Sequence, residues 1–274
     1  MISAPRRWLI TAFYRLTRSR IPWIRWLLIR SFIFAFAVDL ADAREPDPDA
    51  YPHFNAFFTR ALRTDARTQA PRPALLSPVD GTLVSCGQAD QSSLVTVKGQ
   101  AFSWRGLILA PSLEEGLFTP EALFFNCYLA PRDYHRVHMP DAGHLIRAEW
   151  IPGRFRSVRP SRIRRRPETL AQNERVLLTF ATERGPLLLI LVAARLVGGI
   201  ETPWCPARQS WRDTGQSFRE ALATGIGSHF ERGEEIGRFN YGSSVLILAP
   251  ESIWQPEHEL GKVFVGERLA TPRT

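Results

Sequence analysis

Lysine is almost missing from this chain of 274 residues. Of its 35 basic residues only Lys98 and Lys262 are lysines, and the rest are arginines. A cofactor anchored on lysine, as pyridoxal phosphate is, therefore has two candidate positions and no more. Cysteine is scarce too. Cys86, Cys127 and Cys205 lie far apart, with neither metal-ligand spacing nor an even-numbered disulfide framework. The expectation is a reducing compartment and no metal. Long apolar runs are also lacking. A membrane-spanning helix needs about 20 uninterrupted apolar residues, and the longest charge-free window of the apolar N-terminal region, Ser31 to Val38, is far shorter. Basic residues spread through that region also argue against a secretory leader, which has one basic end and one apolar core. These absences point to the cytoplasmic side of a membrane rather than to secretion.

What is present begins with charge. The formal net charge is +8 and the sequence pI about 10.1, which suits an anionic partner. Residues 1–42 mix aromatic and aliphatic side chains (Trp8, Phe13, Trp23, Trp26, Phe32, Phe34) with Arg6, Arg7, Arg15, Arg18, Arg20, Arg25 and Arg30. That mixture predicts amphipathic helices lying in a membrane interface. Helices packed on the domain's own core are the alternative. A second basic segment, Arg154 to Arg166, reads as a loop, either simply solvated or attracted to anionic headgroups. No nucleic-acid module accompanies it, so nucleic acid is not the expected partner.

Residues 43–73 read as a Pro- and Asp-rich linker followed by a short amphipathic helix from Phe54 to Arg63. From residue 74 to 274 the pattern turns β-like. Short apolar runs lie at Thr82–Cys86, Leu94–Val97, Leu123–Leu129, Leu145–Ile151, Val176–Ala181, Leu187–Ala193, Leu196–Ile200, Val245–Ala249 and Val263–Val265. Helices are expected at Ser103–Leu109 and Ser217–Ala223. No long helix alternates with the strands, which predicts an α+β fold: a β-rich, mostly antiparallel core with amphipathic N-terminal helices.

Three short segments could carry chemistry. His135 and His138 share a Tyr-His-Arg-Val-His-Met-Pro run. Without a third ligand or an intervening Glu they make a weak zinc site. Asp80 sits in Ser77-Pro78-Val79-Asp80-Gly81, where a plain turn suffices to explain it. Gly242-Ser243-Ser244 opens an apolar run and does not match Gly-x-Ser-x-Gly.

Together these segments resemble the phosphatidylserine decarboxylase proenzymes, pyruvoyl-dependent and of prokaryotic type. The resemblance spans about residues 50 to 270. It rests on Phe54-Asn55-x-Phe57-Phe58-x-Arg60, Ser77-Pro78-x-Asp80-Gly81, Val97-Lys98-Gly99 and Tyr134-His135-Arg136-x-His138-Met139-Pro140. It continues through Pro152-Gly153, Ser157-Val158, Asn173-Glu174-Arg175-Val176 and Gly233-Glu234-Glu235-Ile236-Gly237-Arg238-Phe239 to Gly242-Ser243-Ser244-Val245. Where the family usually has Leu-Gly-Ser-Thr this chain has Tyr241-Gly242-Ser243-Ser244, and Arg159-Pro160 stands where Asn-Pro is frequent.

The resemblance implies a zymogen that cuts itself at Gly242–Ser243 into chains 1–242 and 243–274. Ser243 becomes a pyruvoyl cofactor. His138 is implied as the base for Ser243, with Asp80 as its orienter. His135 is implied as a proton donor or carboxylate binder in decarboxylation. Neither metal nor pyridoxal phosphate is implied. The implied activity is a carboxy-lyase reaction, phosphatidylserine to phosphatidylethanolamine and CO2, in phospholipid biosynthesis at the cell membrane. The partners are the lipid, the anionic surface and the two processed chains, and a homodimer is compatible with this. Three other readings stay open: an uncleaved lipid-binding relative, a pyruvoyl decarboxylase of another amine-carboxylate, and a Ser-His-Asp hydrolase.

Overall fold

The computed structural model describes residues 4–89, 107, 122–166, 168–194, 199–203, 220–224, 229–240 and 242–273. The expected strand Leu94–Val97, the Val97-Lys98-Gly99 motif, all of the expected helix Ser103–Leu109 but Leu107, and Leu196, Cys205 and Tyr241 lie outside the described residues.

Two helices open the chain, α1 (Ala4–Thr17) and α2 (Pro22–Phe36). Pro22 sits at the first helical position of α2, where its missing N–H is no loss. Ala37, in the left-handed region at φ 51°, ends it. α2 is apolar around most of its circumference. Ile29 and Phe32 pack with Val38, Tyr51 and the short helix α3 (Phe54–Phe58) in a cluster of aromatic rings. Its other side leaves Trp23, Trp26, Leu27 and Phe34 exposed, Phe34 at 92%. One face thus packs on the protein, as the second reading of this region expects, and the other is exposed among the described residues. Among the described residues no helix is long and apolar enough to cross a membrane.

The strands are β1 (Leu75–Leu76), β2 (Gly81–Ala89), β3 (Ala122–Leu129), β4 (Arg136–His138), β5 (Gly143–Ile151), β6 (Arg175–Thr182), β7 (Gly185–Ala193), β8 (Ile200–Glu201), β9 (Glu220–Thr224), β10 (His229–Phe230), β11 (Glu235–Phe239), β12 (Ser243–Pro250), β13 (Trp254–Pro256), β14 (Gly261–Val263) and β15 (Arg268–Pro272). They form a nine-stranded sheet in the order β10-β5-β6-β7-β12-β3-β2-β14, with β9 also on β5, and two three-stranded sheets, β4-β11-β8 and β1-β15-β13. Every pairing between named strands is antiparallel. The α+β, β-rich expectation is met.

The central strands are apolar on both faces because both faces are covered. Val245, Ile247 and Ala249 of β12 join one core cluster with Leu189, Leu191, Phe125 and Cys127. Leu246 and Leu248 join another with Leu188, Ile190 and Phe124. Side chains alternate along a strand, so Ser243 shares the parity of Val245 and faces the first cluster. That cluster also holds Val137, Ile236 and Phe239 of the small β4-β11-β8 sheet, which therefore lies over the face carrying Ser243.

Two expectations need correction. Of the expected helix Ser217–Ala223, residues 217–219 lie outside the described residues and the rest falls in strand β9, laid along β5 from Arg147 to Trp150. Its run of good helix formers is overridden by pairing on an open sheet edge. The Arg-rich segment is not all loop, since Pro160–Ile163 forms a helical turn, α4, with Pro at its start. A second short helix, α5 (Thr169–Gln172), follows it.

Candidate active site

Asp80, the His135–His138 run and Ser243 come from three segments that the sheets bring to one end of the core. The turn before β2 is stitched to β4 by the His138 N–H, which donates to the Pro78 carbonyl at 2.8 Å. On β2, Gly81 crosses so close to β3 that a Cβ there would stand 2.4 Å from the Tyr128 carbonyl oxygen. Only glycine fits after Asp80. Leu129, at the end of β3, pairs with Ser243, whose other neighbour is Ala193 of β7. The Asn173 side chain donates to the Ala193 carbonyl at 2.9 Å and brackets the Arg156 backbone through its amide. It thereby ties the Arg-rich segment to the strand beside Ser243.

Ser243 is completely buried, and its Oγ has no hydrogen-bond partner among the described residues. An unpaired buried hydroxyl is costly. Gly242 before it has open space where a Cβ would be and lacks a left-handed φ. Packing among the described residues thus gives no reason for glycine at 242.

Each histidine has its tautomer set by a carbonyl. His138 Nδ1 donates to the Gly233 carbonyl at 2.8 Å, so Nε2 is the acceptor, and it takes the Tyr134 hydroxyl at 2.9 Å. Burial lowers its pKa, outweighing the Gly233 bond and the charge of Glu235. His135 Nδ1 donates to the Asp133 carbonyl at 2.7 Å. Its Nε2 is a buried acceptor with no partner among the described residues. The ring lies 4.1 Å from that of Phe58, and burial pushes its pKa down to about 3 against the pull of the Asp133 bond. Both imidazoles are neutral at pH 7.

Asp80 is engaged elsewhere. Its carboxylate accepts from Arg67 Nε at 3.1 and 3.2 Å, from Arg67 Nη2 at 2.5 Å and from the Val265 N–H at 2.8 Å. No hydrogen bond joins Asp80 to His138, or His138 to Ser243. The structure brings the three segments to one end of the core without the hydrogen bonds of a Ser-His-Asp relay. Beside Asp80 and Tyr134 opens a cavity of about 270 Å³, also lined by Arg60, Arg132, Asp133 and Lys262. Among the described residues no group of three or more His, Cys, Asp or Glu side chains could hold a metal.

Sequence reasoning missed several residues that build this end. The segment expected to be linker and short helix forms a wall. Phe58 packs on His135, Arg136 Nε donates to the Thr59 carbonyl, and Arg60 to the Arg132 carbonyl. Asn55 donates to Asn240 at 2.9 Å, and Asn240 donates in turn to Glu201 and the Gly199 carbonyl. This network fixes the backbone two residues before Gly242. Glu201 also meets Arg18, at the end of the α1 segment, at 3.6 Å. The available signal was Asn55 and Arg60 inside a Phe-rich motif, polar groups where an interfacial helix has no need of them. Arg67 gave no signal.

Residues 54–271 match the phosphatidylserine decarboxylase family. The chain is 40% identical to a phosphatidylserine decarboxylase proenzyme of Marinobacter nauticus, across 89% of this chain and 87% of that protein. It is 42% identical to the one of Alkalilimnicola ehrlichii, across 84% and 80%, and 40% identical to the one of Xylella fastidiosa (strain 9a5c), across 97% and 91%. On this match over most of its length, the chain belongs to the phosphatidylserine decarboxylase family.

Proposed function

We propose that this protein is a proenzyme that cuts itself at Gly242–Ser243 and then decarboxylates phosphatidylserine at a membrane surface, where it sits peripherally. The observation that carries the reading is Ser243: a wholly buried hydroxyl without a partner among the described residues, directly after a glycine that packing there does not require.

In the proposed processing step Ser243 Oγ attacks the Gly242 carbonyl carbon while a base takes the hydroxyl proton. The C–N bond breaks, the serine nitrogen gains a proton, and an ester remains. Loss of the Ser243 α-proton then expels the Gly242 carboxylate and leaves a dehydroalanine. Water replaces its nitrogen as ammonia and yields the pyruvoyl group. His138 suits the base by its tautomer, with Nδ1–H held by Gly233 and Nε2 presented as a neutral acceptor. To serve Ser243, Nε2 exchanges its Tyr134 partner. Asp80 is the acidic member of the set and stabilises the imidazolium that forms.

The residues fit formation of a pyruvoyl group, because Ser243 Oγ, without a partner among the described residues, is the nucleophile that would take the Gly242 acyl group and leave with it, while the serine carbons and carbonyl remain as the pyruvoyl. When present, that group supplies a carbonyl that accepts the electrons released with CO2, chemistry pyridoxal phosphate performs elsewhere. His135 is proposed to return a proton to the reacting carbon or to hold the substrate carboxylate. In the uncleaved chain burial holds it neutral. Arg132 and Lys262 on the cavity wall suit a phosphodiester.

The denatured mass of the purified full chain tests the reading. Two chains meeting at 242/243, with a pyruvoyl-blocked smaller chain, are expected, together with CO2 release from phosphatidylserine vesicles. Ser243→Ala should abolish both. A single unmodified chain in active preparations would instead favour a hydrolase or an uncleaved lipid binder. Activity on free amino acids alone would favour a soluble substrate.

A further inference from the structure

We propose that Arg67 is the positioning residue that aims Asp80 for self-processing; this rests on the reading above. The guanidinium uses every face. Nε and Nη2 grip both oxygens of Asp80, while Nη1 donates to Asp42 at 2.6 Å and to the Ala66 carbonyl at 2.6 Å. Its Cζ lies over the Phe264 ring, 4.9 Å from the centroid. Burial lowers the affinity of Arg67 for its proton, but the bonds to Asp80 and Asp42 outweigh it, and the net shift is upward.

A fork held this firmly can hold a carboxylate firmly. The Val265 N–H fixes the same carboxylate from the opposite end of the chain. Arg60, Lys262, Asp133, Tyr134 and His138 also surround Asp80 or feel its charge, yet among the described residues Arg67 is the only side chain that hydrogen-bonds it. An anion set in place before His138 takes the Ser243 proton need not reorganise when the imidazolium forms. Lysine could supply the charge but not the two-pronged grip. Asp42, six residues past α2, holds the far side of Arg67 and so joins the N-terminal helices to the processing site.

Self-cleavage rates of the full chain, read by mass, test this with Arg67→Gln, Arg67→Lys, Asp80→Asn and the Arg67→Gln/Asp80→Asn double variant. Arg67→Gln should slow cleavage by about 100-fold, the scale of a misplaced catalytic group. Arg67→Lys should recover part of that. The double variant should be no slower than Asp80→Asn alone, because Arg67 acts through Asp80. A merely structural arginine would add its own loss on top, and that outcome overturns the proposal, as does wild-type cleavage by Arg67→Gln. If Arg67→Gln does not fold, Arg67→Lys decides: cleavage at the wild-type rate refutes the grip. A wild-type chain that never splits removes the self-processing reading and this proposal together. A wild-type chain that splits beside an indifferent Arg67→Gln removes this proposal alone.

Discussion

His135 is held neutral by burial, and the stability of the whole protein records it. An imidazole in the unfolded chain titrates near 6.5, while the folded one waits until about 3. Between those values the unfolded state binds a proton that the folded state refuses. Stability therefore rises with pH across the window and falls as acid is added, by about 1.4 kcal/mol per pH unit. The lowered pKa of His138 acts in the same direction. Ser243→Ala protein, which on the proposed reading cannot split, should lose thermal stability steadily below pH 6.5. Adding His135→Gln should flatten that slope, whatever it does to the midpoint at pH 7. Calorimetry from pH 8 to 4 checks this, and an unchanged slope would show that His135 is not the group responsible.

At the scale of elements, α2 has an unusual division of labour. Its inner face is fixed by ring contacts, Phe32 with Phe54 at 5.1 Å and with Phe58 at 5.8 Å. Its outer face has three exposed aromatics, Trp23, Trp26 and Phe34. Burying one such side chain is worth about 1.5–3 kcal/mol, so replacing all three by Ser should weaken binding to phosphatidylserine-containing vesicles well over tenfold while leaving the fold intact. Sedimentation with vesicles measures it, and unchanged binding would end the interfacial reading. Deleting residues 1–40 would be a poorer test, since it also removes Ile29 and Phe32 from the core. Patterning made most elements legible: the apolar runs of β3, β6, β7 and β12 needed only local periodicity. β9 did not, because its partner edge on β5 is about seventy residues away and its composition favours helix. The same holds for the site. Asp80, His138 and Ser243 stood out through motifs, whereas Arg67 and Asn240 matter through long-range bonds that no local pattern announces. The hydrogen bonds of Asp80 were likewise invisible, since Arg67 and Val265 lie far apart in sequence.

For the whole molecule, the position of the proposed cut decides what cutting does. Ser243 begins β12, and β12 is paired with β7 on one side and with β3 on the other along most of its length. All eight of its residues are buried. Residues 243–274 also supply β14 to the edge of the same sheet and β13 and β15 to a smaller one, where β15 pairs with β1. Asp80 accepts from Val265, so one proposed site residue is braced across the two products. The small chain would thus be two interior strands, β12 and β15, and two edge strands of the fold rather than an appendage. Cleavage should leave the halves locked together by the same ladders and core that held the uncut chain. Mature protein should elute from size exclusion as one species in native buffer, and the 1–242 and 243–274 chains should part only once denaturant unfolds the sheet. Release of residues 243–274 under native conditions would mean that the cut falls elsewhere or that β12 is not seated between β3 and β7. Holding together also serves the chemistry: the new N-terminus at residue 243 stays at the mouth of β12, beneath the sheet that carries His138.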